Sequence, residues 1–338
     1  MNVDLSRATS LLIVKPSSLG DVVHTIPAAS LIASACPHLR IQWLVNPEWA
    51  PLIDDLPWLT ATVPFPRSRF RGISGLGSFT KWRHEFREQL RSPPDIALDF
   101  QGLLRSGLVS RWSQAPVRVG LSDSREGARL FHTDIVAVDP DAHAVDRYLN
   151  MVRALNIEVP DELPWELPSG SPIPNDWLEG VSPSQAIVLH PFSRGDGKSL
   201  TTPQIIRFCN ACLDVPVILV GMSQPVSNLP GNTCDLTNRT SLPQLVWLMR
   251  QAGWIVSVDS GPMHIAAAAS PRVLAVHTWS NPCKVGPYRP EAWIYKGRQI
   301  FHRRDSPPDL RSSSCHITDN DVDAIAAFAT GRLMKCQG

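Results

Sequence analysis

The sequence predicts an α/β protein built from two doubly wound domains, and three observations support this prediction. The chain has 338 residues, which is enough for two domains of ordinary size. Short apolar segments of strand length recur along it, with helical stretches between them. A stretch over residues 160–174 contains too many prolines for a helix or a central strand. We therefore expect one domain over residues 1–165, a second over 175–338, and a linker over about 159–175.

The predicted strands are almost continuously apolar rather than alternating, which is typical of a parallel sheet covered by helices on both faces. They are residues 11–14, 41–45 and 95–99 in the first half, and residues 186–190, 216–220, 254–259 and 273–277 in the second. Ligands of such sheets bind beyond the carboxyl ends of the strands. Two such domains on a linker are expected to face each other across a cleft that holds the ligand.

The composition narrows the class of protein. A hydrophobic content of 43% and a net charge of +1 describe a soluble globular chain with no overall attraction to nucleic acid or anionic membrane. No apolar run approaches the roughly 18 residues that span a bilayer, and the first residues lack the pattern of a signal peptide, so we expect a cytoplasmic protein. Seven cysteines scattered over a long chain favour reduced thiols.

A candidate ligand-binding loop follows the first predicted strand. Residues 16–20 form a turn, and Asp21 then lies in the first turn of a predicted helix, with His24 on the same face. One interpretation is that Asp21 is a helix-capping acid, as on many helices. The other is that it points into the cleft, because it follows the carboxyl end of a strand. The residues themselves leave both open.

A second candidate loop follows the predicted strand that ends at Asp259. Ser260, Gly261 and Pro262 form a turn, and an alanine-rich helix begins near Met263. Proline suits the first helical position, and the free amides of a first turn bind anions. His264 is either a packed first-turn histidine or a donor to a phosphate or sugar oxygen.

A third loop, His-Pro-Phe-Ser-Arg-Gly-Asp-Gly-Lys over residues 190–198, also follows a predicted strand. It has the small and basic residues of a phosphate-binding loop but not the G-x-x-x-x-G-K-[ST] spacing of nucleoside triphosphatases. Arg194 and Lys198 therefore either bind phosphate or are solvated.

Two further patterns have an ordinary structural explanation. Cys209 and Cys212 have C-x-x-C spacing, but zinc needs two further ligands and the pair lies inside a predicted helix, so we expect buried thiols. Residues 67–91 hold seven Lys or Arg and two Glu with interleaved aromatic residues. This segment is either a loop and a solvated amphipathic helix, or a cradle for an anionic substrate.

Several motifs resemble those of one known family. Lys-Pro-Ser-Ser-Leu-Gly-Asp-Val-Val-His-Thr-Ile-Pro-Ala, residues 15–28, resembles the N-terminal signature of the lipopolysaccharide heptosyltransferases, glycosyltransferase family 9. Residues 258–268 resemble the family's donor-binding D-[ST]-G-x-x-H-x-A-A signature. Weaker matches follow in order over residues 99–106, 143–149, 235–242 and 280–288.

The resemblance implies a GT-B fold, in which the N-terminal Rossmann-like domain binds the acceptor and the C-terminal one binds a nucleotide sugar. It implies an inverting transferase that moves L-glycero-D-manno-heptose from its ADP-activated form to the inner core of lipopolysaccharide, with no obligatory bound metal and no cofactor. We then expect a monomer at the cytoplasmic face of the inner membrane, with an anionic lipid-linked saccharide as acceptor and no nucleic-acid partner.

The resemblance also assigns roles to residues. Asp21 becomes the general base, which takes the proton of the acceptor hydroxyl. Donor binding is expected at Ser193, Arg194, Lys198, Asp259, Ser260, Gly261, Pro262, Met263 and His264. Acceptor binding is expected at Ser17, Ser18, Gly20, His24, Gln101 and Arg105.

Three departures from the family pattern keep an alternative open. Residues 221–226 lack the glutamate that can hold ribose hydroxyls, the residue after Lys198 is not aromatic, and the G-P-T-D-P-type turn reads Thr-Trp-Ser-Asn-Pro over residues 278–282. A related transferase with another nucleotide sugar is one alternative, and a non-catalytic binding protein is another. The non-catalytic alternative is disfavoured by the presence together of Asp21, Lys198 and His264. An oxidoreductase is disfavoured because no G-x-G-x-x-G motif follows any predicted strand.

Overall fold

The computed structural model describes residues 5–70, 72, 74–307 and 316–337. The chain forms two compact units, Met1–Pro168 and Ser169–Gly338. The boundary between them falls inside the proline-rich stretch, which contains neither helix nor strand from residue 157 to residue 174.

The first unit contains a six-stranded sheet in which every pair of neighbours is parallel. Its strands are β1 Ser10–Val14, β2 Arg40–Val45, β3 Leu59–Pro64, β4 Ile96–Asp99, β5 Val117–Leu121 and β6 Asp134–Val136. The spatial order is β3-β2-β1-β4-β5-β6. The direction of winding therefore reverses between β1 and β4, which is where ligands bind in sheets of this order.

The α-helices in the described residues of this unit are α1 Leu19–Ala35, α2 Ser74–Leu90, α3 Leu104–Trp112 and α4 Ala144–Ala154. The helix α2 contains most of the basic segment over residues 67–91 and shows how its aromatic and basic side chains are divided. Phe79, Trp82 and Phe86 lie in the core, while Lys81 and Arg83 on the same helix are exposed. The interleaved aromatic residues are thus the buried face of an amphipathic helix, and the cations lie on its solvent face.

The second unit repeats the plan with one extra strand. Its strands are β7 Ile187–His190, β8 Val217–Leu219, β9 Thr233–Asp235, β10 Trp254–Val258, β11 Val273–Val276, β12 Trp293–Lys296 and β13 Gln299–His302. The order is β13-β12-β11-β10-β7-β8-β9, and among these described strands the edge pair β12 and β13 is antiparallel, whereas the other neighbours are parallel. Here the winding reverses between β7 and β10. The three strands predicted in the first half of the chain and the four predicted in the second half are all present. The predicted α/β class is confirmed.

The helices of this unit are α5 Thr202–Ala211, α6 Leu242–Gln251, α7 Gly261–Ala269, α8 Pro282–Val285 and α9 Asp319–Gln337. Cys209 and Cys212 belong to the core cluster that lies between the sheet and α5 and α9. Burial raises the pKa of Cys209 to about 11 and also raises the pKa of Cys212. Both thiols are therefore protonated, and the expectation that they are buried is confirmed.

A glycine on β5 makes room for a buried contact between a histidine and an aspartate. His132 Nε2 lies 3.0 Å from Asp99 Oδ2, and both side chains are completely buried. A Cβ atom on Gly120 would lie only 2.1 Å from His132 Nδ1. The ring has to move if any side chain is added, and that movement pulls it away from Asp99.

We expect Gly120→Ala to lower the free energy of unfolding by about 1–3 kcal/mol, the usual effect of overpacking a core. Gly77 provides a matched control, because it lies inside α2 and a Cβ there would have no neighbour within 4 Å. Gly77→Ala should therefore stabilise the protein by roughly 0.5–1 kcal/mol through helix propensity. Denaturant unfolding measures both values, and a Gly120→Ala protein as stable as the wild type would contradict the packing argument.

Candidate active site

In the first unit, the predicted site residues meet where β1 and β4 end. The Ser17 backbone N–H donates to Gln101 Oε1 at 3.2 Å, which joins the loop after β1 to the loop after β4. Arg67 Nη1 donates to Ser17 Oγ at 3.4 Å. Gly20 is buried in the first turn of α1. The structure thus brings together Ser17, Gly20 and Gln101, together with a cation from the basic segment.

Asp21 is half-buried in the first turn of α1. Its Oδ2 accepts hydrogen bonds from the Ser18 backbone N–H and the Ser18 hydroxyl, both at 2.9 Å. The first bond satisfies the Ser18 N–H at the start of the helix, as the capping interpretation requires. The two bonds also fix the orientation of a carboxylate that is not fully enclosed, so capping does not prevent Asp21 from acting on a ligand.

A buried lysine lies close behind this loop. Lys15 is 3% exposed, and its Nζ donates to the Phe100 carbonyl at 3.0 Å and to Tyr148 Oη at 2.8 Å. Burial lowers the pKa of Lys15, but the charges of Asp21, Tyr148 and Asp99 and the bond to Tyr148 outweigh burial and raise it. The ammonium therefore stays charged and favours an ionised Asp21. Sequence analysis did not single out Lys15, although a lysine directly after an apolar strand is a usable signal.

Asp99 holds the loop after β4 in place. Its Oδ1 accepts from the backbone N–H groups of Gln101 at 2.9 Å and Gly102 at 3.0 Å, and its Oδ2 accepts from Ser106 Oγ at 2.8 Å. With His132 as a fourth partner, this buried carboxylate is well satisfied. It therefore fixes the backbone that carries Gln101 beside Ser17.

The other two predicted acceptor residues, the buried His24 and the half-buried Arg105, contact other parts of the unit. His24 is 3% exposed, and its ring centroid lies 5.1 Å from that of His143 at the start of α4. Arg105 Nη2 donates to the Phe70 carbonyl at 2.7 Å, and its guanidinium lies 5.8 Å from the centre of the Phe79 ring. Both side chains thus have partners within the unit, and their acceptor-binding roles stay predictions.

In the second unit, the loops after β7 and β10 are tied together. Lys198 Nζ donates to Asp259 Oδ2 at 2.5 Å, and Ser193 Oγ donates to the Asp259 carbonyl at 3.0 Å. Ser199 Oγ accepts from the Ser193 N–H at 2.8 Å and closes the loop on itself. Arg194 is exposed on the same loop. Lys198, Ser193 and Asp259 therefore form one cluster at the point where the winding reverses.

The charge state of Asp259 follows from its neighbours. Burial raises the pKa of this carboxyl, but the nearby His277 and hydrogen bonds from Lys198 and Ser280 outweigh burial and lower it. Asp259 is therefore ionised and pairs with the Lys198 ammonium. A substrate anion would compete with Asp259 for Lys198.

The start of α7 completes this cluster. Ser260 is the residue before the helix, and its hydroxyl donates to the Val258 carbonyl at 3.0 Å. Gly261 and Pro262 are half-buried, whereas Met263 and His264 are buried. Pro262 has no N–H, and the Met263 N–H donates to the Ser260 carbonyl at 3.2 Å, so the Gly261 N–H is the first-turn amide that can attract an anion. The structure thus places the two predicted donor loops side by side.

Trp279 is a site residue that sequence analysis did not assign. Lys198 Nζ lies 4.3 Å from the centre of its indole ring, a cation–π contact. The indole N–H donates to the Asp196 carbonyl at 3.0 Å. The signal in the sequence that could have found it is the altered turn over residues 278–282.

Two buried histidines of this unit make its stability depend on pH. Burial lowers the pKa of His190 and of His277 from 6.5 to about 4. The unfolded chain therefore binds more protons than the folded one between these values, and stability falls as the pH drops from about 6.5 towards 4.

We expect the free energy of unfolding to be lower at pH 5 than at pH 7 by about 2 kcal/mol for each of the two histidines. Denaturant titrations at the two pH values test this. His84, an exposed residue of α2 that contacts Glu88, supplies the control, since His84→Gln should leave the difference unchanged. Equal stability at pH 5 and pH 7 would show that the two rings are not buried in their neutral form.

Within the described residues, no group of three or more His, Cys, Asp or Glu side chains lies together so that it could hold a metal ion. The helices of the described part are too short or too polar to cross a membrane.

Comparison with known proteins agrees with the family suggested by the motifs. The profile of "Glycosyltransferase family 9 (heptosyltransferase)" matches residues 83–196 and 223–305, more than half of the chain. The lipopolysaccharide core heptosyltransferase OpsX of Haemophilus influenzae is 23% identical over 306 residues, 82% of each chain. Lipopolysaccharide heptosyltransferase 1 of Salmonella typhimurium is 26% identical over 82% of this chain and 91% of its own.

Solved structures share the fold. The glycosyltransferase family 9 protein of Veillonella parvula has a TM-score of 0.76 at 18% identity and covers 99% of both chains. E. coli heptosyltransferase WaaC with ADP has a TM-score of 0.74 at 22% identity, over 95% of this chain and 99% of that one. At these identities the structures establish the GT-B fold. Together with the family match, they show that this chain belongs to glycosyltransferase family 9, the heptosyltransferases, and is a glycosyltransferase.

Proposed function

We propose that this enzyme transfers a heptose from ADP-L-glycero-D-manno-heptose to the inner core of lipopolysaccharide with inversion, and that Asp21 is the general base. One observation carries the mechanism: a half-buried carboxylate stands at the carboxyl end of β1, oriented by two bonds from Ser18 and close to the charged Lys15. The relatives named as lipopolysaccharide heptosyltransferases support the choice of sugar and acceptor.

Inversion is a single displacement. The acceptor hydroxyl gives its proton to Asp21 while its oxygen forms a bond to the anomeric carbon, and the bond from that carbon to the phosphate oxygen breaks as ADP leaves. The Lys15 ammonium opposes premature protonation of Asp21 in the resting enzyme.

The departing ADP carries the negative charge that develops in this step. Lys198 and the Gly261 N–H at the start of α7 would bind the diphosphate, and they would stabilise this charge without a metal ion. A ligand phosphate would take the place of Asp259 at Lys198, which leaves the Asp259 carboxylate able to accept from a sugar hydroxyl. This arrangement supports donor binding by the second unit. Known relatives support the nucleotide, since WaaC has been crystallised with ADP.

The first unit would bind an anionic, lipid-linked saccharide. Ser17, Gln101 and Arg67 offer hydroxyl, amide and guanidinium groups beside Asp21, which suit sugar hydroxyls and phosphates. The exposed cations of α2 extend this basic character. We also propose that the enzyme works as a monomer at the cytoplasmic face of the inner membrane.

Calorimetric titration of the purified chain with ADP, UDP, GDP and CMP, first without metal and then with magnesium, tests the donor. Selective ADP binding without metal is expected. Preference for another nucleotide would redirect the function to a different sugar, an outcome relevant to the missing acid in residues 221–226. Transfer from ADP-heptose to a heptose-deficient lipopolysaccharide acceptor, followed by NMR of the new linkage, tests inversion.

A further inference from the structure

The side chain of Trp279 is unusual in its exposure. The side chain is 50% exposed. The other large apolar side chains that are exposed in the described part of the chain are all aliphatic. Trp279 follows β11, so it lies at the same edge of the sheet as the loops after β7 and β10. An exposed indole at the ligand edge of a parallel sheet is available for contact with a bound molecule.

A buried ammonium fixes the backbone on both sides of Trp279. Lys296 is completely buried, and its Nζ donates to the Thr278 carbonyl at 3.2 Å and to the Ser280 carbonyl at 2.7 Å. His277 Nδ1 lies 2.9 Å from Ser280 Oγ and closes the turn from the other side. A buried charge is unfavourable unless it is well bonded, so this arrangement indicates a rigid turn. The indole is therefore held in place before any ligand arrives.

The position of the indole is tied to the predicted phosphate lysine. Lys198 Nζ lies over the ring, between Trp279 and Asp259. A Cβ on Gly195 would lie 3.1 Å from Lys198 Cδ and 3.4 Å from Trp279 Cζ2, so the glycine leaves room for this close packing. A diphosphate bound at Lys198 would then have the indole as an immediate neighbour.

The sheet order indicates which part of the donor reaches Trp279. Lys198 lies on the loop after β7, and β7 pairs with β10. In the sheet, β8 lies on one side of this pair and β11 on the other. A nucleotide sugar has a nucleoside on one side of its diphosphate and a sugar on the other, so with the diphosphate at Lys198 one end would extend towards the loop after β8 and the other towards Trp279. Asp259, whose carboxylate suits sugar hydroxyls, lies next to Lys198 on the β10 loop and thus on the side of Trp279.

We propose that Trp279 binds the sugar ring of the nucleotide-sugar donor by stacking its indole against the C–H face of that ring. The electron-rich face of an indole attracts the weakly positive C–H groups of a pyranose, and it excludes water from them. This inference rests on the proposed function, because it assumes a nucleotide sugar with its diphosphate at Lys198. It makes Trp279 a residue that selects the sugar rather than the nucleotide.

The test is calorimetric titration of the full chain and its variants with two probes, ADP and ADP-2-deoxy-2-fluoro heptose. For Trp279→Ala, we expect the Kd of the ADP-sugar to rise about 10-fold while the Kd of ADP stays within about threefold of the wild type. Trp279→Phe, which keeps an aromatic face, should give an intermediate value. Leu213→Ala removes another exposed apolar side chain of the same unit and should change neither constant.

The outcomes are distinguishable. If the wild type binds both probes and Trp279→Ala binds the ADP-sugar as tightly, the inference is wrong and the proposed function stands. If Trp279→Ala weakens ADP and the ADP-sugar equally, Trp279 acts on the nucleotide or on Lys198, and the sugar assignment is overturned. If the wild type binds neither probe, the proposed donor is wrong and this inference fails with it.

Discussion

The Asp21→Asn enzyme is expected to lose about 10³-fold in kcat for heptose transfer, the usual range for removal of a general base. Asparagine keeps the shape of the side chain and an oxygen that can accept from the Ser18 N–H, so the start of α1 should stay intact. It cannot take a proton from the acceptor hydroxyl. Steady-state rates with ADP-heptose and a lipopolysaccharide acceptor, together with thermal unfolding of the same sample, provide the measurement.

A control and a second binding measurement make the Asp21 result specific. Asp55→Asn makes the same chemical change at an exposed position of the first unit and should leave the rate unchanged. Asp21→Asn should also bind ADP as the wild type does, because the proposed nucleotide contacts belong to the second unit. A variant that keeps more than about a tenth of the wild-type kcat would rule out Asp21 as the base, since such catalysis contributes at least 10²-fold.

The Lys198→Met enzyme is expected to lose about 10²–10³-fold in kcat/KM, comparable with the loss of one oxyanion-stabilising donor. Methionine has a similar length but no charge, so the proposed diphosphate site loses a cation. The ADP affinity should fall in the same variant, in contrast to Asp21→Asn. Kinetics and ADP titration together therefore separate a residue that binds the donor from one that acts only on the acceptor proton.

Removal of Lys198 also leaves the buried Asp259 without its ion-pair partner, which is destabilising in itself. Lys198→Arg distinguishes the two effects, because it restores the charge and should recover part of the ADP affinity. Lys335→Met removes an exposed cation near the end of α9 and should affect neither activity nor binding. Wild-type ADP affinity in a folded Lys198→Met protein would contradict the assignment of the donor site.

The sequence alone determined the fold class, the family and the loops that carry the site. The strands it predicted are buried on both faces, so their residues form continuous apolar runs that can be recognised locally. Two of the strands it missed, β5 and β12, lie inside the sheets, but Arg118 or Lys296 shortens their apolar runs. Others are short or at an edge. For example, β6 and β9 have three residues each, and β3 is partly exposed at the sheet edge, so neither length nor hydrophobicity marks them.

Only the tertiary structure showed which distant residues meet at these loops. Lys15 contacts Phe100 and Tyr148, 85 and 133 positions away, and no local pattern contains such a pairing. The same holds for Lys296, whose burial under the turn of Trp279 depends on the neighbouring strands β11 and β12. Periodicity reports how each segment meets the core, whereas the contacts that orient Asp21 and Lys198 depend on the order in which the strands assemble.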